Sequence, residues 1–182
     1  MPNHTKSLLE FRGLSSDIKK LLESIKGLDA YNQQKLFTFH RIIPMPSNIK
    51  RGPLRAMSFQ GNDNWYNWSV DNWDTKWDAY DVSILTNVPP QSVNFINPKS
   101  KSIAQIRFQT AWSPVPKVVA RLSEMFPNVL IKYSYLDEGG SFCGVEYFKK
   151  GSCYKHTLNN FKTIQRVLRY VPKSLDGVTS IK

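Results

Sequence analysis

Twice along this chain a two-residue alternation of apolar and polar side chains gives way to a helical stripe and then returns, a grammar that few folds satisfy. Residues Thr5 to Phe11 alternate, with Ser7, Leu9 and Phe11 on one face and Lys6, Leu8, Glu10 and Arg12 on the other, the period of a half-buried strand. Gly13 ends it. Ser15 or Ser16 can then cap a helix whose Ile18, Leu21, Leu22 and Ile25 recur at helical spacing, with Asp17 in its first turn and Gly27 beyond its last. A second strand is predicted at Phe37 to Ile43, closing the first unit before Pro44, Pro46 and Pro53 impose a loop.

The pattern returns further on. Ala104, Ile106, Phe108 and Thr110 alternate with Gln105, Arg107 and Gln109; Ser113 and Pro114 then start a helix with Val118, Val119, Leu122, Met125 and Phe126 as its buried stripe. Val129, Ile131, Tyr133 and Tyr135 line another strand, Asp137 to Gly140 turn, and Ser141 to Phe148 form its hairpin partner. Two strand–helix–strand units predict an α+β ferredoxin-like sandwich, an antiparallel sheet with its helices on one face. Between them lie a Trp-rich insertion from Asn64 to Trp77, a strand at Tyr80 to Leu85 and a loop through Pro89 and Pro90 to Pro98. Residues 1–150 are expected to form this domain. Residues 151–182 are expected to add a basic helix, Lys155 to Tyr170, and a polar tail with Pro172 and Gly177, packed on the same domain.

A length of 182 residues with 41% hydrophobic content suits one domain that needs neither metal nor disulfide to hold its core. Cys143 and Cys153 have neither Cys-x-x-Cys spacing nor the density of a secreted scaffold, so both read as reduced thiols. No basic-then-apolar leader opens the chain, and no apolar run approaches the roughly 20 residues that span a bilayer. The expectation is a soluble protein of a bacterial cytoplasm. A net charge of +11 favours polyanionic partners, but charge alone does not separate RNA, DNA and an acidic protein surface.

Several residues could carry chemistry. Trp65, Tyr66, Trp68, Trp73, Trp77 and Tyr80 concentrate aromatics beside Asp71, Asp74 and Asp78, so Trp73 and Trp77 are candidates for stacking on unpaired bases. Asp74 and Asp78 are candidates for holding a divalent cation such as magnesium, although no cofactor is required. The bland alternative makes the tryptophans a satellite core and the aspartates caps and turns. Lys155, Lys162, Arg166 and Arg169, at i, i+7, i+11 and i+14, would form a basic stripe on the terminal helix opposite Phe161, Ile164 and Leu168. RNA-recognition-motif binding needs aromatics on the open sheet face, where this chain has Gln105, Arg107 and Gln109, so that mode is not expected. For proton transfer the candidates are His4, His40, Lys76, Asp137 and Glu138; Lys76 would stabilise phosphate charge while His4, Asp137 or Glu138 handles protons. The histidines lack metal-ligand spacing.

The phrases Met1-Pro-Asn-His4, Ile42-Ile-Pro-Met-Pro46, Trp65-Tyr-Asn-Trp68, Trp73-Asp-Thr-Lys-Trp-Asp-Ala-Tyr-Asp81, Thr110-Ala-Trp-Ser-Pro114 and Tyr135-Leu-Asp-Glu-Gly139 carry a resemblance to the YubB-type ferredoxin-like family of phages and plasmids. That family has Gly at the position of Asp74 and Asn at that of Asp78. The chain as a whole also resembles anti-CRISPR proteins acting on type II RNA-guided nucleases. That resemblance implies an inhibitor that engages the nuclease with its guide RNA and promotes guide truncation, either as a ribonuclease or as activator of a host one. Two other readings stay open: a non-catalytic nucleic-acid-binding accessory protein of a phage or plasmid, and a purely protein-binding antagonist.

Overall fold

The alternating segment at the N-terminus becomes the centre of a sheet. The computed structural model describes residues 3–53, 63–86, 101–157, 161–169 and 179–180; the loop through Pro89, Pro90 and Pro98 and the tail with Pro172 and Gly177 lie outside them. Strand β1, His4–Leu14, pairs antiparallel on one side with β5, Lys101–Ala111, and on the other with β6, Leu130–Asp137. With β4 (Tyr80–Thr86), β7 (Cys143–Lys149), β8 (Ser152–Thr157) and β9 (Thr179–Ser180), the sheet order is β8-β7-β6-β1-β5-β4-β9. β1 and β4 are parallel and separated by β5, while β5 and β6 are parallel and separated by β1. Two split βαβ units thus interleave, the ferredoxin-like arrangement.

Register decides what is buried. Leu9 pairs with Ile106 and Tyr133, and Phe11 with Ala104 and Ile131, so these residues share one sheet face. Helix α1, Ser15–Ser24, lies against β1 and β5, and α3, Pro116–Met125, against β6, β7 and β8. Ile18 and Leu21 from α1 and Val118, Val119 and Leu122 from α3 complete the core. Two polar groups inside it are matched to each other. The fully buried Tyr133 hydroxyl lies 3.1 Å from Ser7 Oγ and accepts the Val115 N–H at 3.0 Å, and burial pushes its pKa up.

The first unit closes later than predicted. Phe37 to Ile43 is not a strand: after a small ribbon of β2 (Gly27–Leu28) and β3 (Gln34–Lys35), Phe39–Arg41 forms a 3-10 turn. The alternation of Phe37 and Phe39 misled because both rings are core plugs, each edge-on to Phe108. The backbone there bonds to side chains, not to a ladder: the Phe39 N–H donates to Asp78 Oδ1 at 2.7 Å and the His40 N–H to Thr38 Oγ1 at 3.1 Å. The place beside β5 goes to β4. The Trp-rich helix α2, Trp65–Trp73, therefore lies inside the first crossover, not between the units.

The C-terminal segment also differs from expectation. Lys155 is on strand β8, and helix α4 spans only Phe161–Arg169. The helices of the two units, α1 and α3, share one face as expected, and the extra helix α4 takes the other. Leu8 pairs with Ser134 on the face opposite Leu9, and α4 covers this side, with Ile164 buried against Leu136 and Val145 and with Phe161 and Leu168 packed around them. Arg107 Nη1 donates to the Leu168 carbonyl at 2.8 Å, holding an end of α4 that its own backbone leaves unsatisfied. No helix among the described residues is long and apolar enough to cross a membrane.

Candidate nucleic-acid interface

Helix α2 begins where the Asn64 side chain accepts the Asn67 N–H at 2.9 Å. Trp65, Ser69 and Trp73, four residues apart, form its buried face. Trp73 is only 2% exposed; its Nε1 donates to the Ile43 carbonyl at 3.0 Å and its ring meets Trp68 and Phe39 edge-on. It cannot offer a free face for stacking. Helix α2 stops at Asp74, whose φ of 63° is the left-handed conformation that glycine takes most easily.

The carboxylate of Asp74 faces α3: Oδ1 lies 2.9 Å from Lys117 Nζ and Oδ2 accepts the Lys117 N–H at 3.1 Å. Asp78 is occupied elsewhere. Its Oδ1 accepts from the Phe39 and Ala79 N–H groups, both at 2.7 Å, and its Oδ2 from the Thr38 hydroxyl. Burial lifts the Asp78 carboxyl to about 6, opposed by these hydrogen bonds. The two aspartates therefore do not form a shared carboxylate pair, and the expected magnesium ligands do not fit one ion. Among the described residues no three His, Cys, Asp or Glu side chains are grouped to hold a metal.

Between the aspartates sits Lys76. Its ammonium lies 4.7 Å from the centre of the Trp77 ring, 5.1 Å from Trp112 and 5.9 Å from Tyr66, a three-sided aromatic surround that holds a cation by the negative ring faces. Trp77 and Trp112 are 38% and 42% exposed. Trp112 is held there at φ 72°, a costly conformation for a bulky residue, and its N–H donates to the Asn3 carbonyl at 2.9 Å. Thr75 Oγ1 donates to the Ala111 carbonyl at 2.8 Å, fastening the Lys76 turn to the end of β5.

His4 adjoins this cluster. Its Nδ1 lies 2.5 Å from the Tyr80 hydroxyl, which is 3.2 Å from the Thr110 carbonyl, so the phenol bridges the imidazole and the β5 backbone. Burial, then the charges of Asp81 and Glu138, push the Tyr80 phenol up to about 12. Glu138 Oε1 accepts the His4 N–H at 2.8 Å, while the buried Asp137 accepts the Ser141 N–H at 3.1 Å in the hairpin turn. Both acids thus organise backbone. His40 is similarly structural: Nδ1 accepts the Met45 N–H at 3.0 Å, and burial lowers its pKa.

Five of the residues singled out from sequence converge on one cavity of about 520 Å³: His4, Trp73, Lys76, Trp77 and Asp78, joined by Trp65, Met45, Tyr80, Asp29 and Lys35. Asp74, Asp137 and Glu138 do not line it, and Lys162, Arg166 and Arg169 belong to α4, which packs on Leu136 and Val145. Tyr66 belongs to the aromatic strip singled out from sequence, whereas Trp112 was not foreseen as a site residue. The signal for Trp112 was a tryptophan between the end of a strand and a helix-starting Ser-Pro, a place with no core to fill.

Residues 90–166 match the family model described as the ferredoxin-like domain in Api92-like protein, a span running from ahead of β5 into α4. Among solved structures the chain is similar to the crystal structure of protein Api92 from Yersinia pseudotuberculosis, at 10% identity and a TM-score of 0.41 over 58% of this chain and 32% of that one. The chain thus spans about a third of that protein's length. No curated protein matches. A ferredoxin-like domain similar to that of Api92-like proteins is present in this chain.

Proposed function

We propose that this protein binds single-stranded RNA and inhibits a type II RNA-guided nuclease by engaging its guide. The observation that carries the RNA-binding part is the Lys76 ammonium set among the exposed rings of Trp77 and Trp112 on a chain of net charge +11. Unpaired bases stack on aromatic faces regardless of sequence, and a neighbouring cation meets the phosphate. A guide offers both, since its bases must be presented for pairing while the effector holds it by the backbone. The resemblance to anti-CRISPR proteins supplies the target, and guide truncation is the outcome it implies.

The test is a reconstituted nuclease with end-labelled guide, followed on a denaturing gel while DNA cleavage is measured in parallel. Blocked DNA cleavage with the guide shortened supports the full reading. Blocked cleavage with an intact guide supports inhibition by binding and removes truncation. Unchanged DNA cleavage at saturating protein overturns the nuclease as target, whatever RNA the protein binds.

A further inference from the structure

The cavity beside the Lys76 cluster has a chemistry of its own. About 520 Å³ is the scale of a site for one small organic molecule. Its acidic residues have their oxygens committed within the protein: Asp29 Oδ1 accepts the N–H groups of Tyr31 and Gln33 at 2.8 and 2.9 Å, with Lys35 3.9 Å from Oδ2, and Asp78 is bonded through both oxygens. The cationic side differs. Lys76 makes no ion pair among the described residues and is held in place by rings. His4 has Nδ1 committed to Tyr80, which leaves Nε2 as the remaining polar atom of its ring.

A ligand that satisfies this lining has a flat, largely apolar body for the aromatic wall and an anionic group for the lysine. Inorganic anions would leave the rings unused, and an apolar side chain would leave Lys76 and His4 unmet. Resting on the reading of the protein as an RNA binder, we infer that the cavity accepts one nucleotide turned out of a strand, its base against Trp77 and Tyr80 and its phosphate at Lys76 and His4. The exposed Trp112 then serves the neighbouring nucleotide outside the cavity. Turning a base out costs least in a strand that is already single, which matches the stacking surface alongside.

The test titrates the full chain with uridine and adenosine 5′-monophosphates, the corresponding nucleosides and inorganic phosphate, read by tryptophan fluorescence. A monophosphate is expected to bind at least tenfold more tightly than either its nucleoside or inorganic phosphate. Lys76→Gln and His4→Gln, each keeping a polar side chain of similar reach, are expected to weaken that binding at least fivefold with an unchanged unfolding midpoint. Equal affinity for inorganic phosphate overturns the inference, as does monophosphate binding untouched by both variants. A short single-stranded RNA titrated in parallel separates the two claims. If RNA binds and no monophosphate does, the cavity assignment fails and RNA binding stands; if neither binds, both fall.

Discussion

Asp78 is a carboxylate placed where charge is costly, and it is the residue on which the first crossover closes. Its folded pKa of about 6 stands above the unfolded value of 3.8. Between those values the folded chain keeps a proton that the unfolded chain has released, so this group's contribution is full below about pH 4 and is lost as pH rises through 6. At about 1.4 kcal/mol per pH unit the difference amounts to roughly 3 kcal/mol. Asp78→Asn keeps an oxygen for the Phe39 and Ala79 N–H groups while removing the charge. Urea unfolding is expected to show the Asn variant gaining on the native chain by roughly 2.4 kcal/mol between pH 4 and pH 7.5; parallel pH curves would refute this. Trp112 stores cost in another form. Since a left-handed φ disfavours side chains by about 1–2 kcal/mol, Trp112→Gly should be more stable than Trp112→Ala by about 1 kcal/mol, although both lose the same ring. Equal stability of the two would mean that the backbone there is not strained.

At the scale of elements, α4 is a cover fastened by a small satellite core. Ile164 is 1% exposed and meets Leu136 and Val145. Ile164→Ala is expected to cost about 2–3 kcal/mol by chemical denaturation and to raise amide exchange in α4, while leaving the Lys76 cluster undisturbed. A loss below 0.5 kcal/mol would show that the helix is not docked. Sequence periodicity found α1, α3, β1, β5, β6 and β7 because each buries one face at its own period. It failed at Phe37 to Ile43, where two phenylalanines point into one core from a turn whose N–H groups bond to Asp78 and Thr38, and such side-chain acceptors leave no periodic trace. It failed again at Lys155, where a strand continuing β7's hairpin was read as the start of the helix that begins six residues later.

In the whole molecule, two basic features sit on separate elements. The crossover gathers Tyr66, Lys76, Trp77 and Trp112 beside His4 and Tyr80, while α4 carries Lys162, Arg166 and Arg169. Part of the first site was legible in the sequence, because tryptophans with a lysine among them stand out anywhere. Its assembly was not, since Trp112 and His4 reach Lys76 and Tyr80 only through the pairing of β1 with β5 and β5 with β4, which no local pattern encodes. The most direct measurement is fluorescence anisotropy of a labelled single-stranded RNA at several salt concentrations, comparing native chain, a Lys76→Ala/Trp112→Ala variant, and a variant with Lys162, Arg166 and Arg169 changed to Glu. The account predicts steeply salt-dependent binding, at least a tenfold loss for the aromatic–lysine variant and a smaller loss for the α4 variant. Full affinity in the first with binding abolished in the second would contradict it and move the interface to α4.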